Sequence, residues 1–204
     1  MSRKVFDKLT SAGGLAIVVV LLIAGGLLTW GHSFVNSNVH NQLAQQQIYF
    51  PPQAAWANAK PGTELTPAMI PYLKQYSGQQ MLTGQQAEAY ADHFIKIHLS
   101  EMPYGGVYSK ISAAAIAQPK NVALQTLKTT SFQGTTLRGL LLEAFAFWKI
   151  GQIMLFGAIA SFIMAAIVLL LVGLGFRHAA QTAPERQMMG AAAPKMNPAT
   201  PVTS

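Results

Sequence analysis

LTSAGGLAIVVVLLIAGGLLTWG, residues 9–31, runs for 23 positions without a charged side chain, and IGQIMLFGAIASFIMAAIVLLLVGLGF, residues 150–176, does so for 27. A helix needs about 20 apolar residues to cross roughly 30 Å of hydrocarbon, and both runs exceed that. Neither carries a polar face to turn toward water, which argues against the core helix of a soluble domain. Two membrane-spanning helices are therefore expected. For the first run a cleaved secretory signal is the competing reading, because Arg3, Lys4 and Lys8 precede the apolar residues. The stretch outlasts the usual signal core of about 7–15 residues, and the following TWGHSFVNSN offers no small-x-small cleavage site, so an uncleaved anchor is preferred.

The flanks give an orientation. Arg3, Lys4 and Lys8 lie before the first run and Arg177, Arg186 and Lys195 after the second, whereas the first basic residue following Gly31 is Lys60. The positive-inside rule places both termini in the cytoplasm. Trp30, and Phe145, Phe147 and Trp148, would then sit at the outer interface. The chain divides into a cytoplasmic N-tail (1–8), a first span (9–31), an extracytoplasmic segment (32–149), a second span (150–176) and a disordered cytoplasmic tail (177–204). That is a two-pass plasma-membrane protein with the bilayer as its first partner.

Composition agrees: 51% of the 204 residues are hydrophobic and only 10% charged. The net charge of +7 is shared among the segments, with eight basic and five acidic residues in 32–149, so no segment is basic enough to bind nucleic acid. Basic tails fit attraction to inner-leaflet lipid. There is no cysteine, which excludes thiolate chemistry and leaves the outer segment to be held by packing alone.

The expected fold is mainly α: two transmembrane helices flanking a small external, mostly helical domain with one short strand pair. IYFPP (48–52) is β-prone and stopped by two prolines. AAWANAKPG reads as a loop. Thr66 and Pro67 suggest a helix start that Gly78 ends. Thr83 and Gln86 form a capping box for a helix that stops before Pro103, with the turn at Gly105 and Gly106. Helices are expected at 108–117 and 122–130, and from about Thr135 the spacing of Leu137, Leu140, Leu141, Ala144 and Trp148 carries one long helix into the second span.

The helix beginning at Gly84 holds QAEAYADHFIKIHL, with two of the five histidines. At 100° per residue, Ala87, Tyr90, Ala91, Phe94, Ile97 and His98 share one arc, which is the expected buried face with His98 near its middle. Glu88, Asp92 and Lys96 fall on the wet side, where Asp92 and Lys96 make an i,i+4 pair. His93 and His98 are five apart and cannot readily hold one metal, so no metal site and no cofactor are expected. His98, with Tyr90 and Tyr108, is the candidate ligand-binding set; the plainer reading is a hydrogen-bonded core histidine. Gly157, Ser161 and Ala165 recur every four residues and form a candidate helix-packing groove, with Gly25 and Thr29 as an opposing surface. No nucleophile elbow, phosphate loop or HExxH is present.

The order of a basic start, a single span, GQQMLTGQQAEAYADHFIKIHL, GGVYSKIS, TLRGLLLEAFAFWKIG and a second span resembles a family of small two-pass membrane proteins of actinobacteria. The resemblance implies an external helical domain between two spans. Some members carry an aromatic ring-opening dioxygenase label, and the iron site which that chemistry needs is not visible here. Val107 stands where members have a more polar residue before the tyrosine of the GG-x-Y segment. The functional expectation is a non-catalytic accessory or scaffold subunit of the cell envelope, acting with a membrane-protein partner or as a homo-oligomer. The alternative is a small-ligand or metal-binding extracytoplasmic domain centred on His98.

Overall fold

A computed structural model describes residues 3–181. Of the tail expected to be disordered, residues 177–181 are helical instead, and the rest, with Met188, Met189 and Met196, lies outside the described residues. Two helices dominate: α1, Arg3–Gln46, and a second of 60 residues, Val122–Gln181. Each is long and apolar enough to cross a membrane. Both extend past the charge-free runs. The polar HSFVNSNVHNQLAQQ continues α1, and the separate helix expected at 122–130 is the start of the 60-residue one. Contacts group the chain into two units, 1–26 with 159–204, and 27–158.

In order along the chain, α1 is followed by a 3-10 turn at Gln53–Asn58, another at Pro67–Met69, and α2, Ile70–Leu73. Then come α3, Gly84–Tyr90, a π-turn at Ala91–Ile95 and α4, Lys96–Glu101. A 3-10 turn at Pro103–Gly106 leads to α5, Tyr108–Ala117, and α6 is Val122–Gln181.

In the first unit, Ser11 and Val18 of α1 are buried, and so are Ala165, Val172 and Ala179 of α6, seven residues apart. Seven-residue spacing is that of a left-handed coiled-coil seam. Small residues let the backbones approach: a methyl on Gly14 would stand 2.5 Å from Val172 Cγ2, and one on Gly175 would strike Ser11 Oγ. Leu9, Ile17, Val20, Ile23, Leu170 and Leu174 point outward and are more than half exposed. At the end of the helix pair, Asp7 Oδ2 stands 3.9 Å from His178 Nε2.

In the second unit, Val39 and Leu43 of α1 and Leu141 of α6 close onto a core of Phe50, Trp56, Met69, Leu73 and Met81. Ala87, Ala91 and Ile95 supply the contribution of α3 and the π-turn. The expected strand pair is not formed. One antiparallel bridge, Tyr49 to Gln80, is all the β pairing among the described residues. The Phe50 N–H donates to Gln79 O at 2.9 Å and the Met81 N–H to Ile48 O at 2.8 Å. Pro51 and Pro52 then remove the donors that would extend the ladder. AAWANAKPG is largely the first 3-10 turn, which buries Trp56 and directs its Nε1–H to Ser77 Oγ at 2.8 Å.

Local signals account for the remaining boundaries. Thr66 precedes Pro67 at the start of a turn, but its side chain caps nothing. Gly78 takes φ +71° at the expected stop. Asn121 starts α6 by accepting the Leu124 N–H on Oδ1 at 3.2 Å.

Candidate functional site

The capping box fixes the start of α3. Thr83 Oγ1 accepts the Gln86 N–H at 3.2 Å, and Gln86 Oε1 accepts the N–H groups of Leu82 and Thr83 at 2.8 and 3.0 Å. Gln86 is itself buried, and its Nε2–H donates to Gln79 Oε1 at 3.1 Å. Gly84, the first helical residue, lies against Trp148 of α6, where a Cβ would collide with the Trp148 side chain and meet Ala144 O at 3.1 Å. Trp148 is thus half-buried in the core of the second unit. Trp30, Phe34 and Phe147 are exposed.

Beyond Tyr90 the helix takes on one extra residue, the π-turn at Ala91–Ile95. A residue added to a helical turn sets everything after it back by about 100°. The buried set becomes Ala87, Ala91 and Ile95. Leu99 is half-buried and packs on Gly134 of α6, where a Cβ would come within 2.9 Å of Leu99 Cδ2. His98 turns with it and is half-buried as well.

His98 Nδ1 lies 2.8 Å from Phe94 O. A carbonyl only accepts, so Nδ1 carries the proton. Phe50, Tyr90, Phe94 and His98 form an aromatic ladder, with successive ring centroids 5.7, 4.6 and 4.5 Å apart. Burial raises the pKa of the Tyr90 hydroxyl above the ordinary tyrosine value, and the Glu64 carboxylate pushes in the same direction. Of the three candidate ligand-binding residues, Tyr90 and His98 belong to this ladder through Phe94. Tyr108 packs instead against Phe132 of α6, with centroids 5.5 Å apart.

Two contacts on the other side of this helix differ from the sequence expectation. Asp92 pairs with Arg138 of α6 at 2.6 Å, not with Lys96, which is exposed. The π-turn between Asp92 and Lys96 spoils the i,i+4 geometry that their spacing promised. His93 lies flat on Tyr72, with centroids 3.5 Å apart and planes 2° from parallel. Arg138 and Tyr72 were not legible as partners, because long-range contacts leave no spacing signal.

The helix-packing candidates lie along the α1 and α6 contact. In the second unit, a Cβ on Gly157 would be 3.3 Å from Leu28 Cδ1. In the first unit, Ala165 is buried, Ser161 is half-buried, and a Cβ on Gly25 would be 2.8 Å from the Phe162 ring. Among the described residues no three His, Asp or Glu side chains gather closely enough to hold a metal ion. No family model, no curated protein and no solved structure matches the chain.

Proposed function

We propose that the chain is a non-catalytic, two-pass membrane protein of the cell envelope, with both termini cytoplasmic and residues 32–149 outside. It acts as an accessory or scaffold subunit, and the folded segment between its spans contacts another membrane or envelope component. One observation supports this most directly. In the most apolar windows of α1 and α6 only 11% and 17% of the residues are buried. Many large aliphatic side chains of these helices face outward, the reverse of a helix in a soluble core.

The absence of native cysteine gives a clean background for a topology test. Lys120→Cys, at an exposed turn, should react with an impermeant thiol reagent on intact cells, and Ser204→Cys only after lysis. Reaction in the opposite pattern would invert the topology. For the scaffold role, gentle extraction should bring down a reproducible larger assembly; a monomer under every mild detergent condition would sink that part of the reading.

A further inference from the structure

Within the second unit, α5 and the first turns of α6 form a hairpin about the turn at residues 118–121. It is tied at both ends: Gln125 Nε2 donates to Ala115 O at 2.9 Å beside the turn, and Ser131 Oγ to Gly106 O at 2.8 Å at the base. Six large apolar side chains of the hairpin and the 3-10 turn before it nevertheless stand in the open: Tyr104, Val107, Tyr108, Ile116, Val122 and Phe132. Ile116 and Val122, on either side of the turn, are 71 and 77% exposed. No other large apolar side chain among the described residues is as exposed, the outward faces of the charge-free runs included. Apolar surface gathered in this way outside the spans marks a place of contact.

Charge decides the chemistry of what contacts it. The five carboxylates of residues 32–149, on Glu64, Glu88, Asp92, Glu101 and Glu143, all lie outside 102–142, which carries Lys110, Lys120, Lys128 and Arg138. Arg138 is matched by Asp92. The three lysines form no ion pair among the described residues; Lys110 and Lys120 are exposed and Lys128 is half-buried. Lys120 sits in the turn itself, and Lys110 and Lys128 lie about 9 Å along their helices from Ile116 and Val122. A surface that is cationic and apolar, with no acid of its own, complements one that is anionic and apolar.

We propose that this hairpin is the face through which the chain docks its partner, and that it takes a segment of another envelope protein bearing carboxylates beside apolar side chains. The proposal rests on the scaffold reading above. A second copy anchored in the same bilayer would bring three unmatched lysines against three, a repulsive pairing. The chain's own bilayer is out of reach, because Val122 lies about 42 Å along α6 from Ile150, where the second charge-free run begins. An anionic polysaccharide would match the lysines and leave Ile116 and Val122 uncovered, whereas a protein segment supplies both counterparts.

The first measurement is the size of the assembly obtained when the full chain is gently extracted from native membranes. Lys120→Glu combined with Val122→Ser, both at exposed positions, should lower the share of the chain recovered in the assembly about tenfold with the melting temperature unchanged. Lys60→Glu, at an exposed lysine outside the hairpin, should change that share less than about twofold. An assembly indifferent to the double variant overturns the hairpin and leaves the scaffold reading intact; a wild-type monomer in every mild detergent overturns both. The second measurement is the fluorescence anisotropy of a labelled helical peptide, a Leu face flanked by Glu, with the full chain in phosphatidylcholine nanodiscs. The peptide should bind, and Lys120→Glu should raise its Kd about tenfold. No binding, or equal binding after every Glu is replaced by Gln, overturns the acidic partner. Equal binding of poly-glutamate of the same length, or tighter binding of phosphatidylglycerol vesicles, overturns a protein partner in favour of an anionic polymer or a lipid surface.

Discussion

His32 Nδ1 lies 2.9 Å from the carbonyl oxygen of Gly151, a polar contact from α1 to α6 next to the ends of the two charge-free runs. The acceptor is a backbone carbonyl, so Nδ1 holds the proton and the tautomer is set. A Cβ on Gly151 would stand 3.4 Å from Val35 Cγ1, an ordinary contact, so the approach does not depend on glycine there.

His32→Leu keeps the bulk and removes the donor. The loss should be about 0.5–1.5 kcal/mol, within the range of cross-helix hydrogen bonds in membranes. Thermal unfolding in detergent measures it, and an unchanged midpoint would show that the contact contributes nothing.

Gly84→Ala should be more damaging. The atoms in the way include Trp148 Cβ and the Ala144 carbonyl, which no change of rotamer removes. Overpacking of this kind costs about 1–3 kcal/mol. Intrinsic tryptophan fluorescence should report the displacement of Trp148 alongside a lower melting temperature.

Ser131 is buried, and its hydroxyl donates to Gly106 O at 2.8 Å, tying α6 to the turn before α5. Ser131→Ala leaves that carbonyl without this partner and should cost about 1–2 kcal/mol. Faster amide hydrogen exchange localised to Pro103–Gly106 would accompany it; uniform exchange rates would count against the link.

The Asp92 and Arg138 pair is about one-third exposed on each side, at 30 and 31%. A double-mutant cycle with Asp92→Ala and Arg138→Ala should give a coupling of about 0.5–1 kcal/mol that weakens as salt is raised. The same cycle with Lys96→Ala in place of Arg138→Ala should give none. A larger coupling to Lys96 would restore the i,i+4 pairing that the sequence spacing suggests.

Tyr90 has its pKa raised by burial first and Glu64 second. A raised acid pKa means that the folded state holds its proton where the unfolded chain has released it. The contribution to stability is therefore fully present below the unfolded value of about 10 and declines as pH rises through and beyond it. Tyr90→Phe should flatten that alkaline decline. It should also remove the last-titrating phenolate from an absorbance titration; a decline that persists unchanged would refute the assignment.

Features encoded by neighbouring residues were legible in the sequence. The charge-free runs gave the two long helices, Thr83 with Gln86 gave the start of α3, and the bounds of α5 match the expected 108–117. What escaped depends on distant partners. HSFVNSNVHNQLAQQ is too polar to suggest helix, yet Val35, Val39 and Leu43 lie four apart along it and pack into the core of the second unit. Trp148 fits an interfacial aromatic until Gly84 is seen to receive it. His98 occupied the middle of a buried face only as long as the helix was assumed regular.

The π-turn at Ala91–Ile95 also bears on how this segment is built. A single surplus residue is accommodated inside a helix anchored upstream by the capping box and downstream by Leu99 on Gly134. Such a turn holds one residue more than a regular helical turn. Excision of one residue from it would regularise the helix at the expense of the register of everything after Ile95. The surplus residue acts as an indexing step that turns everything after Ile95 by about 100°, and Leu99 then meets Gly134 of α6.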